Sequence, residues 1–567
     1  MRGGSTCGGR RPHVAAGGLS AESPDVTAAV VDAGDGLPLT VPALLQARVA
    51  SRGASVLLAC DDDLLTYEAA ERRSAALARG LIAAGAGPRT HIGLLHPNGS
   101  EFVVAWLAAA RIGAVSVPLS TFSTGAELRV LLRNADVALL LSAASYRSHD
   151  YIAALRDAVP ELDLAIAPPL FADSLPVLRR IAFADPGEDV DPAWSLRAIE
   201  ESGQTIDSGV LEAAEAAVGP GDRLTIVHTS GSTSEPKGVI HTHGALIRHL
   251  DNLNQIRRYT ADEVLFSNSP FFWIGGLAYS LLGTLVAGGR LVCSNAPHAA
   301  GVLDVLERER PTMVNGFAQS VAHLPRDPSF ARRDLSSIRR GNLFAILPDD
   351  VRPAHPDLRH AMLGMTETGS VCLTSDDESE QPEHRRGSFG RPAPGFEVAV
   401  VDPDTASPCG PHEVGELALR GPFLMEGYTG RERHEVFDAN GWYRTADLVT
   451  VDGDGFFYFK GRRGEMIKTS GANVSPREVE AAILDLTGLT AHVIGIADET
   501  RGQLVAAVIR VPADCAIDVD EIRDQLAERL SSYKVPRRFL PLPDHAVPLL
   551  ASGKLDRPAL EALLRAR

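Results

Sequence analysis

The chain is short of lysine, cysteine, aromatic residues and long apolar runs. Only 5% of its 567 residues are aromatic, and it has six cysteines. No two cysteines form a CxxC pair or a zinc-type spacing. The cysteines are Cys7, Cys60, Cys293, Cys372, Cys409 and Cys515. Free thiols of this kind predict a reducing, cytoplasmic compartment and argue against a disulfide-built secreted fold.

No segment approaches the roughly 18 consecutive apolar residues that a membrane helix needs, so we expect no transmembrane segment. The net charge of −17 argues against a nucleic-acid-binding protein, which needs a basic face to displace counterions. The start, MRGGSTCGGRR, is basic but has no apolar segment after it. We therefore expect a disordered arm over residues 1–25 and not a signal peptide.

Lysine is scarce although basic residues are not. Of 55 basic residues only five are lysines, and arginine supplies the rest. Lysine differs from arginine in carrying a compact charge on a flexible stem, so a lysine kept in an arginine-rich chain is a candidate functional residue. The five are Lys237, Lys460, Lys468, Lys534 and Lys554.

The order of periodic segments predicts an α/β protein of more than one domain. Helical spacing over residues 67–84 is followed by a short apolar strand at 91–95, a helix to about residue 111 and a strand at 114–119. Strands that alternate with helices form parallel sheets. We predict that the acidic stretch 186–220 is an irregular surface connection. The alternation of strands and helices resumes at residue 224.

Two further regions have a different texture. Residues 387–459 consist of short apolar runs separated by Gly, Pro, Asn and Asp, which is the pattern of a small antiparallel sheet or barrel, and we predict a small β-barrel there. The last part of the chain, 462–567, reads as a small α+β domain. Its expected elements are a helix at 476–486, strands at 492–496 and 504–511, and a helix at 518–530. We therefore predict a large domain over residues 26–461 and a small C-terminal domain.

The most informative segment is residues 224–244, LTIVHTSGSTSEPKGVIHTHG. An apolar strand runs into a loop dense in hydroxyls and glycine, where backbone N–H groups and hydroxyls can converge on phosphate oxygens. The order Pro-Lys-Gly differs from the Gly-Lys-Ser/Thr of a Walker loop. The predicted phosphate-binding residues are Thr229, Ser230, Gly231, Ser232, Thr233 and Lys237.

This loop resembles the Thr-Ser-Gly-Ser/Thr-Thr-Gly-x-Pro-Lys-Gly signature of the adenylate-forming superfamily, which includes acyl-CoA synthetases, peptide-synthetase adenylation domains and beetle luciferases. Ser234 stands where that signature usually has glycine. The resemblance extends over nearly the whole chain, from about residue 30 to the end. It implies a large adenylation domain and a mobile C-terminal domain.

The resemblance assigns roles to the segment GMTETG. Gly364, Met365 and Thr366 match nucleotide-contacting positions, and Glu367 matches a ligand of Mg²⁺. A carboxylate suits this role because Mg²⁺ prefers oxygen ligands and bridges phosphates. Leu363 stands where the family often has an aromatic residue that stacks on adenine.

Further motifs complete the resemblance. Asp447, in GWYRTAD, matches the residue that binds the ribose hydroxyls, with Ala446 in place of a usual glycine. Arg462 matches an arginine that contacts ribose or phosphate. Gly464 stands at the family's pivot between domains, and Gly471 matches a glycine beside the pantetheine channel of coenzyme A.

The C-terminal segment PLLASGKLDRPAL resembles the family's Gly-Lys motif, which implies that Lys554 reaches the substrate carboxylate and the α-phosphate. A flexible cation can offset the negative charge that develops there. We therefore expect Lys554, Lys237, Glu367 and Thr366 to be the catalytic group.

The acyl pocket is expected between two segments. SPFFWIGGL contains Trp273, a candidate gate, and Gly275, and a later segment contains Asn315, Gly316 and Gln319. Trp273 could equally be a core residue. The stretch GNLFAILP, from Gly341, stands where the family has Gly-Ala-x-Pro-Leu, and it diverges from that pattern.

Together these motifs predict an AMP-forming acid–thiol ligase that uses ATP, Mg²⁺ and coenzyme A on a carboxylic acid, fatty or aromatic. Four alternatives stay open. The acceptor could be a carrier-protein thiol or an amine, the chain could catalyse a luciferase-like oxygenation, or it could be a non-catalytic nucleotide-binding relative. A homodimer is also possible.

Overall fold

The structure is a computed structural model, and it describes residues 36–229, 236–463, 467–469, 472–474, 476–498, 501–512, 517–530, 534–550 and 555–566. The predicted arm at 1–25 lies outside these ranges. The α-helices of the larger part are α1 (Val41–Arg52), α2 (Tyr67–Ala83), α3 (Ser100–Arg111), α4 (Gly125–Asn134), α5 (Tyr151–Ala158), α6 (Leu196–Ser202), α7 (Ser208–Ala217), α8 (His243–Ile256), α9 (Gly283–Ala287) and α10 (Ala299–Glu309).

Two sheets that are mainly parallel form the frame of the larger part. The first is ordered β14-β13-β11-β12-β1-β2, and only its β1–β2 pair is antiparallel. Its strands are β1 (Val56–Cys60), β2 (Asp63–Thr66), β11 (Val264–Phe266), β12 (Arg290–Cys293), β13 (Met313–Val314) and β14 (Arg340–Gly341).

The second sheet is ordered β20-β10-β9-β4-β3-β5-β8. Strands β9, β4, β3, β5 and β8 are parallel, and β10 and β20 are antiparallel additions at one edge. Its strands are β3 (His91–Leu95), β4 (Val115–Pro118), β5 (Leu139–Ala143), β8 (Arg180–Ala184), β9 (Arg223–Thr229), β10 (Lys237–Thr242) and β20 (Gly427–Tyr428). A minor hairpin joins β6 (Ser145–Tyr146) to β7 (His149–Asp150).

These sheets confirm the α/β class. The largest cluster of buried apolar side chains joins both sheets through the helices between them, with Leu58 of β1, Ile92 of β3 and Leu253 of α8 among its members. The predicted alternation is also confirmed in detail, because helix 67–84 is α2 and strand 91–95 is β3. Burial on both faces explains why these strands are continuously apolar.

The predicted small barrel is not confirmed. Residues of this region form an open antiparallel sheet, ordered β18-β19-β21-β22, in which β18 and β22 lie at opposite edges. Its strands are β18 (Glu397–Val401), β19 (Gly415–Arg420), β21 (Tyr443–Val451) and β22 (Phe457–Arg462). A three-stranded sheet precedes it, with β15 (Leu363–Met365), β16 (Ser370–Thr374) and β17 (Arg391–Pro392). Short strands separated by turns do not reveal closure, which depends on pairing between distant strands.

The C-terminal part has its own sheet and core. Strand β26 (Gly502–Val511) pairs with β25 (Ala491–Asp498), β23 (Ile467–Thr469) and β27 (Arg538–Pro543), and β23 pairs with β24 (Ala472–Val474). Helices α11 (Pro476–Thr487), α12 (Val519–Arg529) and α13 (Arg557–Arg565) accompany it. The α+β expectation is confirmed; β27 and α13 were not predicted.

The expectation of an irregular connection at 186–220 is wrong, because the segment contains α6 and α7. Glu215 of α7 is buried and accepts hydrogen bonds from Arg111 Nε and, at 2.7 Å, from Gln46 Nε2. Gly80 of α2 also lets the chain approach closely: a Cβ there would lie 2.4 Å from the carbonyl oxygen of Ile199. The acidic composition of this segment therefore includes a carboxylate, that of Glu215, which is buried and paired inside the fold. No helix in the described ranges is long and apolar enough to cross a membrane.

Buried histidines make the stability of the fold depend on pH. Burial lowers the pKa of His96, His241 and His243 to about 4 and that of His249 to about 3. In the unfolded chain these groups titrate near 6.5, so between pH 6.5 and 4 unfolding takes up protons and stability is lost as the pH falls.

We predict a loss of up to about 1.4 kcal/mol per pH unit for each such histidine, measured by urea unfolding between pH 7 and 5. His249 is the best control because its ring packs against Phe396 and Phe423, at 5.1 and 5.4 Å between centroids. In a His249→Phe variant, unfolding should take up one proton fewer, so the free energy of unfolding should depend less steeply on pH. An unchanged slope would contradict the assignment.

Candidate active site

The predicted phosphate loop begins at the end of strand β9 and reaches the start of strand β10. Strands β9 and β10 are antiparallel, and Lys237 lies directly opposite Thr229. Residues 230–235, which include Ser230, Gly231, Ser232 and Thr233, lie outside the described residues. The Nζ atom of Lys237 is 5.3 Å from the centroid of the Tyr428 ring, within the range of a cation–π contact.

Glu367 is the centre of the described site. It follows β15 in a short 3₁₀ turn and is buried. The Tyr428 hydroxyl donates to Glu367 Oε1 at 2.7 Å and lies 2.9 Å from the Tyr443 hydroxyl. Because the proton of Tyr428 points to the carboxylate, Tyr443 is the donor to Tyr428. Burial and the nearby Glu367 charge raise the pKa of both phenols, so both remain protonated donors.

Backbone contacts fix the turn that carries Thr366 and Glu367. The Nε2 atom of His241 lies 2.7 Å from the carbonyl oxygen of Thr366. Burial lowers the pKa of His241 to about 4, so the ring is neutral, and the carbonyl acceptor requires the tautomer with hydrogen on Nε2. On the other side, Met425 N–H donates to the Glu367 carbonyl at 2.9 Å.

Gly364 and Met365 form the strand that leads into this turn. A Cβ at Gly364 would lie 2.4 Å from the carbonyl oxygen of Ser370, so the β15–β16 ladder requires glycine there. Met365 N–H donates to Thr368 Oγ1 at 3.2 Å. The hairpin thereby presents Thr366 and Glu367 toward β20 of the neighbouring sheet.

Asp447 and Arg462 face each other on β21 and β22. Arg462 Nε lies 3.4 Å from Asp447 Oδ1, and the two residues are register partners. Ala446, at a position where the resemblance expects glycine, has a φ of +62°. Its N–H donates to Glu416 Oε1 at 2.9 Å, and its carbonyl accepts from Arg463 N–H at 2.6 Å. The backbone therefore keeps a left-handed turn even without glycine.

The expected acyl-pocket residues lie on two adjoining segments. Trp273 is half-buried and packs edge-on against Phe272 and Phe317, at 5.4 Å between centroids in each case. Gly275 starts a π-helix, Gly275–Leu282, a rare geometry that is frequent at functional sites. A Cβ at Gly275 would meet only Phe317 Cε2, at 4.0 Å, whereas one at Gly276 would lie 2.0 Å from the carbonyl oxygen of Pro270.

Asn315 and Gly316 follow β13 and face the start of the divergent stretch 341–348. Asn315 Nδ2 donates to Asn342 Oδ1 at 3.3 Å, and Gly316 N–H donates to the same oxygen at 3.0 Å. A Cβ at Gly341 would lie 1.9 Å from the carbonyl oxygen of Val314, so the stretch begins with an obligatory glycine. The side chain of Gln319 lies outside the described part.

The structure thus brings Lys237, Thr366 and Glu367 together, with Asp447 and Arg462 on the adjoining sheet. Lys554, Gly464 and Gly471 lie outside the described residues. Tyr428, Tyr443 and His241 were missed by the sequence analysis. Tyr428 lies in a two-residue strand, Gly427–Tyr428, which has no periodicity in the sequence. Its contact with Glu367 is visible only once this strand is paired with β10.

The described residues fit a Mg²⁺ ion held mainly by phosphate. Mg²⁺ usually binds one or two carboxylates together with phosphate oxygens and water. Glu367 supplies one carboxylate, oriented by Tyr428. Within the described ranges there is no cluster of three or more His, Cys, Asp or Glu side chains that could hold a metal without phosphate.

Comparisons with known proteins agree with this arrangement. Residues 45–429 match the family described as AMP-binding enzyme, and residues 478–554 match the AMP-binding enzyme C-terminal domain. A feruloyl-CoA synthase of Amycolatopsis sp is 32% identical over 500 residues, which cover 87% of this chain and 92% of that protein. The 4-coumarate–CoA ligase 2 of Oryza sativa subsp. japonica is 29% identical over 523 residues, 88% of each chain.

Solved structures show the same fold. The anthranilate CoA ligase AuaEII in complex with anthranoyl-AMP superposes with a TM-score of 0.76 at 22% identity, covering 93% of this chain and 98% of that one. The ATP-bound MatB of Rhodopseudomonas palustris gives a TM-score of 0.73 at 22% identity, with coverage of 93% and 98%.

Ala446 generates a prediction about stability. A non-glycine residue in the left-handed region costs about 1 kcal/mol, so Ala446→Gly should stabilise the chain by about that amount in urea unfolding. Ala406, in a surface turn with a φ of +60°, is the matched control and should give a gain of the same sign. If Ala446→Gly destabilises the chain while Ala406→Gly stabilises it, the prediction that backbone strain at Ala446 lowers stability is wrong.

Proposed function

We propose, because this chain belongs to the family of AMP-binding enzymes, that it activates a carboxylic acid with ATP and transfers the acyl group to coenzyme A. The products are an acyl-CoA, AMP and pyrophosphate. The observation that carries the proposal is that Lys237 and the buried Glu367 both contact Tyr428, with Thr366 next to Glu367 in the turn that His241 holds.

In the first step a carboxylate oxygen attacks the α-phosphorus of ATP, and the bond from that phosphorus to the bridging oxygen breaks to release pyrophosphate. No protein nucleophile is needed, so the chain contributes positioning and charge. Lys237 and the loop 229–238 bind phosphate oxygens, Thr366 contacts phosphate, and Asp447 and Arg462 hold the ribose. Met365 and Gly364 belong to the same nucleotide-binding edge.

Glu367 would hold Mg²⁺, which would supply positive charge to offset the charge of the pyrophosphate leaving group. The chain's part is to orient the Glu367 carboxylate. Tyr428 does this by donating to one carboxylate oxygen at 2.7 Å, backed by Tyr443 at 2.9 Å. A neutral His241 holds the Thr366 carbonyl and hence the turn.

In the second step the thiolate of coenzyme A attacks the acyl carbon and displaces AMP. Lys554 is needed for the first step, to bind the substrate carboxylate and the α-phosphate. The C-terminal domain then turns about residues 462–464, with Gly464 as pivot, and Gly471 leaves room for pantetheine. A division of the chain into 26–461 and 462–567 belongs to this proposal.

The acid is aromatic or fatty, and the aromatic class is favoured. The wall at Trp273, Phe272 and Phe317 is made of ring edges and faces, which suit a planar acyl group. Gly275 leaves open space beside that wall. The relatives named for feruloyl-CoA, 4-coumarate–CoA and indoleacetate–CoA formation point the same way.

Transfer to a carrier-protein thiol or to an amine is the second candidate, because it shares the whole first step. An oxygenase reaction and a non-catalytic nucleotide-binding role are less favoured. Neither of them uses the grouping of Lys237 with Glu367 for a complete ligase reaction. A cytoplasmic location and a homodimer remain predictions.

The test is acid-dependent pyrophosphate release over a panel of aromatic and fatty acids, with and without coenzyme A. We expect one class to release pyrophosphate and coenzyme A to raise turnover with an acyl-CoA product. The Lys554→Ala variant should lose acyl-AMP formation by about a thousandfold yet form thioester from supplied acyl-AMP. Its control is Lys534→Ala, which removes the one of the five lysines that matches no family motif, and which should therefore keep both steps.

Three results would contradict the proposal. Equal loss of both half-reactions in Lys554→Ala would remove the division of labour between the two steps. Pyrophosphate release without any effect of coenzyme A would transfer the proposal to a carrier protein or an amine. Absence of pyrophosphate with every acid would overturn acid activation itself.

A further inference from the structure

We propose that Asn342 is a positioning residue that latches Phe317 as a lid across the acyl slot at Gly275, and thereby determines which acids are accepted. The proposal rests on the proposed acid activation at this site. It concerns a residue of the stretch 341–348, which diverges from the family pattern.

The side-chain amide of Asn342 forms hydrogen bonds with both the N–H and the carbonyl group of Gly316, as a paired strand would. Gly316 N–H donates to Asn342 Oδ1 at 3.0 Å, and Asn342 Nδ2 donates to the Gly316 carbonyl at 2.9 Å. Asn315 Nδ2 adds a third bond to Oδ1 at 3.3 Å. One side chain therefore holds both polar groups of the residue that precedes Phe317.

Gly316 needs an external restraint. Its φ of +154° lies in the region that favours glycine, where no side chain limits rotation. A Cβ at this position would lie 3.4 Å from Ser269 Oγ and 4.0 Å from Leu343 Cδ1. Glycine has wide conformational freedom, and the two hydrogen bonds to Asn342 favour this one backbone conformation.

Phe317 is the part of the wall that depends on this selection. Its side chain is 49% exposed, so packing alone holds it weakly. Its ring meets Trp273 edge-on at 5.4 Å and 78°, and its Cε2 atom lies 4.0 Å from the position of a Cβ on Gly275. The ring therefore lies across the open space that Gly275 creates.

The opposite side of the slot is fixed independently. Asn98 Nδ2 donates to the Ser269 carbonyl at 3.0 Å, and Asn98 Oδ1 accepts from Phe271 N–H at 2.8 Å. Phe272, between this loop and Trp273, also packs on Phe122 at 5.7 Å. The slot thus has one rigid wall at Trp273 and one latched lid at Phe317.

The family's usual residue could not supply the latch. Asn342 stands at the alanine of the Gly-Ala-x-Pro-Leu pattern, and an alanine side chain forms no hydrogen bond. Loss of the bonds should leave the fold intact, because Gly341 and the β13–β14 pairing hold the strand by backbone contacts. The effect should fall on Phe317 and on acid selection.

The first test follows the exposure of Trp273 by acrylamide quenching and needs no substrate. The other three tryptophans, Trp106, Trp194 and Trp442, are 1%, 2% and 6% exposed, so Trp273 dominates the quenching. We expect Asn342→Ala and Phe317→Ala each to raise the quenching constant about twofold. The double variant should match Phe317→Ala, because coupled residues are not additive.

The second test measures steady-state kinetics with the acid that turns over best. Asn342→Ala should raise the KM for the acid about tenfold, which corresponds to about 1.4 kcal/mol, and should leave the KM for ATP unchanged. It should also broaden acceptance toward bulkier acids. Asn252→Ala, which removes a buried amide that donates to Pro394 at 3.4 Å, is the control and should change neither KM.

If the alanine variant does not fold, Asn342→Asp can still test whether Asn342 holds Phe317 in place. It keeps the acceptor for Gly316 N–H and loses the donor to the Gly316 carbonyl, so an intermediate quenching constant is expected. Unchanged quenching and an unchanged acid KM in a folded variant would overturn the latch. Equal changes in the KM for ATP and for the acid would also overturn it, as a merely structural role. A wild-type enzyme inactive on every acid would defeat the proposed function while the quenching result still decides the latch.

Discussion

The buried carboxylate of Glu367 is the constraint on which the site depends. A carboxylate without partners in this position would be costly, and it is satisfied by Tyr428 and, behind it, Tyr443. Tyr428 belongs to the edge of the seven-stranded sheet, Tyr443 to the antiparallel sheet, and Glu367 to the turn between β15 and β16. One short chain of hydrogen bonds therefore ties three sheets to one another.

The same chain of bonds orients the charged groups that a nucleotide would meet. Lys237 lies over the ring of Tyr428, while Asp447 and Arg462 follow Tyr443 along β21 and β22. The neutral His241 adds a contact from β10 to Thr366. The site is thus assembled by antiparallel edge strands that have been added to a parallel frame.

The sequence predicted the frame better than the additions. Periodicity was sufficient for α2 and β3, because burial on one or both faces leaves a regular apolar pattern. It failed at 186–220, where Glu215 looks like surface charge yet is paired inside the fold, and at the supposed barrel, where closure depends on distant pairing. It also missed Tyr428, since a two-residue strand carries no period.

For the candidate site, order along the chain was enough to select Lys237, Glu367 and Asp447, which share motifs with one family. It could not predict the contacts among them or the latch at Asn342, because hydrogen bonds between segments 26 residues apart leave no local pattern. Ala446 is instructive in the opposite sense. Its backbone is left-handed, at a φ of +62°, at a position where the resemblance expects glycine.

Under the proposed function, Tyr428 orients Glu367 as the carboxylate that would bind Mg²⁺. The most direct measurement is the Mg²⁺ dependence of pyrophosphate release in Tyr428→Phe, with melting temperature as the control for folding. The account predicts that the half-saturating Mg²⁺ concentration rises about tenfold in a folded variant, because the partner of a metal ligand is lost. An unchanged Mg²⁺ dependence in that variant would contradict it.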